Sequence, residues 1–221
     1  MKKKFLIKGL FICFIAAILS ACNKEPEIEL IGVEAYSNIY RSLPELANEA
    51  TGVIRVEVLN RRVELRTANP YEEQSGFTEA EARELLPRFF GRRGGWDWIS
   101  RHGYEIVTVY RIKVLEVFQG TYQVDSIMEV MRPGGTFGHV SIGYTPSVFL
   151  VIGDDLVLFI RSRGQIDRPS VLVNPRQSVY RFPDGENIDL SVALENVYEG
   201  NFVSDFDVTL NDLLQLAENQ D

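Results

Sequence analysis

Two histidines, His102 and His139, are the only imidazoles in a chain of 221 residues. Hydrolytic triads and zinc sites draw on that group as base or ligand. Neither histidine has a second one four residues away, the spacing that puts two ligands on one helix face. His102 lies between Arg101 and Gly103, and His139 between Gly138 and Val140. Both are therefore expected in loops or strands, outside any catalytic set. Asp154 and Asp155 are adjacent carboxylates. A general acid–base pair must converge on one bond, whereas neighbours in a strand point to opposite faces. After Gly153 the two are expected in a hairpin turn. Pro133-Gly134-Gly135-Thr136-Phe137-Gly138 is glycine-rich. It lacks the phosphate-loop lysine and a following helix whose N-terminus could hold a phosphate. No cofactor or metal is expected, and the residue types favour binding over catalysis.

One segment concentrates residues suited to binding. Arg83, Arg88, Arg92, Arg93 and Arg101 are interleaved with Phe89, Phe90, Trp96 and Trp98, and those two tryptophans are the only ones in the chain. Arg and Trp are enriched at binding hot spots, and loops on a rigid scaffold are where function concentrates. Arg88, Phe89, Phe90, Arg92, Arg93, Trp96 and Trp98 are the candidate contact residues. Their chemistry suits an anionic or carbohydrate ligand, an envelope protein or membrane headgroups. The competing reading has the aromatics covering one end of the fold and the arginines pairing with Glu79, Glu81 and Glu84.

The charge balance is acidic, 23 bases against 31 acids, for a net −8. Lys2, Lys3, Lys4 and Lys8 stand in a start without acids; without them, 19 bases face 31 acids, a balance of −12. Such a balance favours solubility and argues against a generic polyanion binder, so nucleic acid is not an expected ligand. The two cysteines are Cys13 and Cys22. Neither falls in the folded part, which leaves it without a disulfide, a thiol nucleophile or a cysteine zinc site.

Lys2 to Lys4 are followed by an uncharged, mostly apolar run from Gly9 to Leu19. That run is shorter than the roughly 18–20 apolar residues that span a bilayer. The layout is that of a signal peptide over residues 1–21. Leu19-Ser20-Ala21-Cys22 resembles the lipobox of bacterial lipoproteins. The resemblance implies cleavage after Ala21, a diacylglyceryl group on Cys22, and a cell membrane location facing away from the cytoplasm. Two or more acyl chains give stable anchoring where one is marginal.

Residues 22–35 are expected as a lipidated tether, and residues 36–221 as one domain. Tyr36 to Ala50 carries apolar residues at helical spacing. Val53–Leu65 and Tyr104–Phe118 read as long strands. Between them, about residues 69–103, lies an insertion. Its Thr78-Glu79-Ala80-Glu81 is a capping box, its helix should end before Pro87, and Gly91 to Gly95 should be loop. Ser126–Met131, Phe137–Ile142, Leu156–Arg161, Val171–Val173 and Ser178–Phe182 are further strands. Pro133-Gly134-Gly135, Gly153-Asp154-Asp155 and Pro183-Asp184-Gly185 supply turns. A final helix is capped by Thr209, with Leu210, Leu213, Leu214 and Ala217 on one face.

The fold class is therefore mainly β: a small, closed or partly open, OB-like β-barrel with a helical or loop insertion and a C-terminal helix. The long strand Tyr104–Gly120 running into Val117-Phe118-Gln119-Gly120, and Gly153–Ile160 (GDDLVLFI) after a turn, resemble bacterial lipoproteins with an OB-like barrel. That barrel is similar to netrin and tissue-inhibitor-of-metalloproteinase modules, over about residues 51–182. Those modules are usually disulfide-stapled, and the inhibitors among them chelate a protease zinc through a free N-terminal cysteine. This chain has no cysteine pair in the domain and an acylation site at Cys22, so protease inhibition is not carried over. The expected function is a non-catalytic binding or scaffold module of the cell envelope, anchored through lipid. The alternative is a carboxylate-dependent hydrolase acting on envelope glycan, which needs two acids converging in a cleft. A solute-capture receptor is disfavoured because such receptors use two lobes.

Overall fold

The computed structural model describes residues 28–34, 38–67, 76–86, 95–162, 169–184, 189–198 and 206–219. The expected signal run, Cys22, and Arg88, Phe89, Phe90, Arg92 and Arg93 lie outside them. No helix among the described residues is long and apolar enough to cross a membrane.

The architecture rests on two long antiparallel strands, β2 (Gly52–Thr67) and β3 (Tyr104–Gln119), with β1 (Glu29–Glu34) preceding them. Later strands are β4 (Ile127–Pro133), β5 (Gly135–Phe137), β6 (Val140–Thr145), β7 (Asp155–Arg161), β8 (Ser170–Leu172), β9 (Val179–Arg181) and β10 (Glu195–Asn196). β7 pairs with the first half of β2, β4 with the middle of β3, and β8 with both β4 and β7. The sheet therefore closes on itself in the order β7-β2-β3-β4-β8-β7. The mainly β fold and the barrel-like sheet expected from the sequence are present as this ring. β9 shares an edge of β7 with β8, pairing Leu156–Leu158 while β8 takes Ile160 and Arg161.

β7 explains how the ring is filled. Leu156, Leu158 and Ile160 point inward, against Ile54, Val56, Ile112 and Val114. Val157 and Phe159 point outward, into a second core. A strand covered on both faces reads as an unbroken apolar run, and Leu156–Ile160 is one. The outer core is covered by α1 (Leu43–Glu49) and by the C-terminal helix α4 (Leu210–Glu218). Ser42 caps α1 through the Glu45 amide, with Pro44 in the first turn. Thr209 and Asp212 form the capping box of α4. Leu210 and Leu213 bury its apolar face, while Leu214, expected on that face, is exposed. A polar clamp closes this side. The fully buried Gln177 side chain accepts from the Tyr40 amide at 2.9 Å and donates to the Tyr40 carbonyl at 2.8 Å.

Beyond a register shift at Val58/Asn60, β2 has left β7 and runs on with β3 as a ribbon, along which β3 keeps β4 as far as Val107. A small sheet, β1-β6-β5, packs there around Leu65, Ile106, Phe137, Val140 and Ile142. Three expectations are corrected at this end. Glu29–Glu34, read as the end of the tether, is β1, paired in parallel with β6 from Glu29↔Val140 to Glu34↔Thr145. Its partner lies more than a hundred residues away, so no local pattern announces it. Phe137–Ile142 is split between β5 and β6, because Gly138 turns the chain at φ +60°. Glycine adopts such a φ at no steric cost. The third concerns Gly95, expected in a loop, which opens a helix described below.

Candidate functional site

The insertion leaves β2 at Thr67 and rejoins β3 at Tyr104. It is tied back to β2 by paired backbone hydrogen bonds of 2.9 Å between Leu65 and Phe77. Thr78 then caps α2 (Glu79–Leu85): its side chain accepts from the Glu81 amide, and the Glu81 carboxylate accepts from the Thr78 amide at 2.7 Å. The Thr78 hydroxyl and amide hold the Glu81 carboxyl below the usual carboxylate range. Ala82 is the buried residue of this helix.

The second helix of the insertion, α3 (Gly95–Arg101), carries both tryptophans. Its Asp97 sits in the first turn, where a negative charge is favoured, and pairs with Arg101 at 3.2 Å. Ile99 is fully buried, and Trp96 and Trp98 are half-buried against the same core. Trp98 is held between two rings, His102 at 4.3 Å with an 18° interplanar angle and Tyr104 at 5.6 Å with 11°. His102 also places Nδ1 2.8 Å from the Trp98 carbonyl oxygen. That histidine thus steadies the tryptophan. The Trp96 amide faces Glu29 Oε2 at 3.5 Å. The Glu29 amide donates to the His139 carbonyl at 2.7 Å. Trp96, the start of β1 and the β5–β6 turn therefore meet at one end of the ribbon. Of the seven candidate contact residues, the structure brings Trp96 and Trp98 to this end; the other five lie outside the described residues. Arg83 pairs with Glu79 at 2.5 Å, one of the ion pairs expected if the insertion is a cover.

The adjacent aspartates do not converge. Asp155 receives both Nε and Nη2 of Arg55, at 2.9 and 2.7 Å, while Asp154 faces the Val151 amide and Arg181. The glycine-rich segment, expected as a hairpin connection, instead carries the chain from β4 in one sheet through Gly134 to β5 in the other, and Thr108 Oγ1 donates to the Gly134 carbonyl at 2.7 Å. Among the described residues, no three His, Cys, Asp or Glu side chains are grouped as metal ligands.

Sequence reasoning missed an ion network under the insertion. Arg62 Nε and Arg66 Nε donate to the two carboxylate oxygens of Glu64, at 2.5 and 2.7 Å. Arg62 also grips Glu129 with Nη1 and Nη2, at 2.6 and 2.9 Å. Its neighbour Glu129 holds the Arg62 guanidinium more firmly protonated than usual, with Glu64 adding to the effect. The signal was visible: residues 62, 64 and 66 share one face of a strand at a spacing of two. Arg132, a second buried cation, had no such signal. Comparison of the chain with protein-family models, with curated proteins and with solved structures finds no match.

Proposed function

We propose that this chain is a membrane-anchored extracytoplasmic lipoprotein whose folded body is a non-catalytic binding or scaffold module of the cell envelope. On this reading Cys22 bears the lipid, and the insertion end is the face presented to a partner. One observation supports that choice of face above the others: the Trp96 amide lies 3.5 Å from the Glu29 carboxylate. Glu29 is seven residues after Cys22. Seven extended residues reach at most about 25 Å, so an anchor at Cys22 keeps this end close to the lipid surface. Ile28 and Leu30, which flank Glu29, are 54% and 80% exposed. Exposed apolar groups beside half-buried tryptophans suit contact with a partner or with headgroups.

The test compares the full lipidated chain with Trp96→Ala, Trp98→Ala and the double variant. Each serves as bait for envelope proteins and glycan from solubilised membranes. The double variant is expected to lose at least about tenfold of the captured partner, because central aromatic anchors carry 2 kcal/mol or more at such interfaces. Trp98→Phe, which keeps the ring stack, serves as the folding control. Undiminished capture by a folded double variant contradicts the assignment of this face.

A further inference from the structure

We infer that the cleft beside Arg132 is a binding site for a small monocarboxylate carrying a short apolar body. The site lies on β4 and the β6–β7 loop, and the inference does not rest on the role proposed for the insertion.

Arg132 is only 7% exposed. Its Nε donates to the Tyr110 hydroxyl at 3.1 Å, and its Nη1 to the Pro133 carbonyl at 3.2 Å and the Ser147 hydroxyl at 2.7 Å. The Phe149 ring covers the guanidinium at 4.0 Å. Every one of these partners is neutral, and no carboxylate among the described residues pairs with Arg132. The other buried arginine among the described residues, Arg66, holds the Glu64 carboxylate, and the half-buried Arg55 and Arg62 hold carboxylates too. A buried charge is costly unless paired, and a guanidinium is shaped to receive two carboxylate oxygens. An anion at this place supplies the missing charge.

The walls select the kind of anion. The cleft of about 50 Å³ is lined by Arg132 and Ser147 together with Met131, Pro146, Val171 and Pro175. At about 10–15 Å³ for each water-sized group, it holds roughly four such groups. A carboxylate and its first carbon fit; a nucleotide does not. The rest of the ligand must lie on the rim, where Phe149, 59% exposed, stacks on the guanidinium. Its exposure is built in. Val148 and Leu150 flank it and are buried in the ring. Backbone hydrogen bonds of 2.8 and 3.1 Å between Gly153, Asp154 and Val58 fix the far end of the loop. A buried unpaired cation beside a held apolar ledge matches one ligand chemistry, an acid head with a hydrocarbon tail.

The test uses the full lipidated chain in discs of uncharged phosphatidylcholine, with empty discs subtracted. Calorimetry follows hexanoate, acetate and hexanol. Hexanoate is expected to bind at least about tenfold more tightly than either of the others, since it alone engages both the cation and the ledge. Arg132→Gln is expected to reduce hexanoate binding at least about tenfold. Phe149→Ala is expected to weaken hexanoate while leaving acetate unchanged. Wild-type hexanoate binding no tighter than that of acetate overturns the site whatever the variants do. So does unchanged hexanoate affinity in folded Arg132→Gln. If that variant does not fold, equal hexanoate affinity in Phe149→Ala and wild type overturns it instead.

Discussion

Glu64→Ala is expected to destabilise the fold by about 3–5 kcal/mol, the range found when one member of a buried ion pair is removed. The carboxylate of Glu64 is the only described charge partner of Arg66, and the two side chains are 4% and 10% exposed. Arg62 keeps Glu129 after the change; Arg66 is left as a buried cation. A second effect adds to the first. Gly76 passes so close to Glu64 that a Cβ there would lie 2.1 Å from Oε2. Removing the carboxylate opens a gap beneath the segment that ties the insertion to β2. Urea unfolding of the full chain, in detergent, measures the loss. Glu64→Gln keeps an acceptor and the volume, and is expected to lose less. In the Glu64→Ala/Arg66→Met double variant the stranded charge is gone, so much of the stability should return. A single Glu64→Ala loss below about 1 kcal/mol would mean that the network is incidental to the fold.

Phe159→Ala belongs to the same range, about 3–5 kcal/mol, by a different mechanism. The ring is fully buried in the outer core, where it meets Tyr180 edge-on at 5.9 Å and 68°. Large-to-small changes there forfeit transfer energy and leave a cavity, and the aromatic pair adds about 0.5–1.5 kcal/mol. The backbone around it is pinned: the Phe159 amide donates to the Ser178 carbonyl and its carbonyl accepts from the Val173 amide. The site therefore cannot collapse readily. Leu214→Ala on α4, exposed, is the control and is expected within about 0.5 kcal/mol of wild type. Equal melting temperatures for Phe159→Ala and Leu214→Ala would refute the two-faced burial of β7.

The features legible in the sequence were those governed by local periodicity. β7 was readable because two-sided burial forces an unbroken apolar run. The helices after Thr78 and Thr209 were readable because their caps are local. β2 and β3 showed strand patterning over most of their length, although nothing in them indicated where β2 leaves β7. What was missed is non-local or lacks punctuation. β1 needs β6 to exist as a strand. α3 opens at Gly95, and the sequence just before it offers no Ser, Thr, Asp or Asn to mark a start; its stability comes from packing Ile99 and the tryptophans on a distant core. Of the site residues, the tryptophans stood out by composition. Arg132 did not, because an arginine next to a proline reads as an edge or turn residue until Tyr110, Ser147 and Phe149 close around it.

The placement at a membrane is tested most directly by intact-mass and peptide spectrometry of the protein extracted from membranes. The expected spectrum has no residue before position 22 and a first residue, Cys22, heavier by a thioether-linked diacylglyceryl group. Retention of Met1, or an unmodified Cys22 thiol at the mature start, would contradict the anchor and remove the reason for assigning the insertion end to the envelope surface.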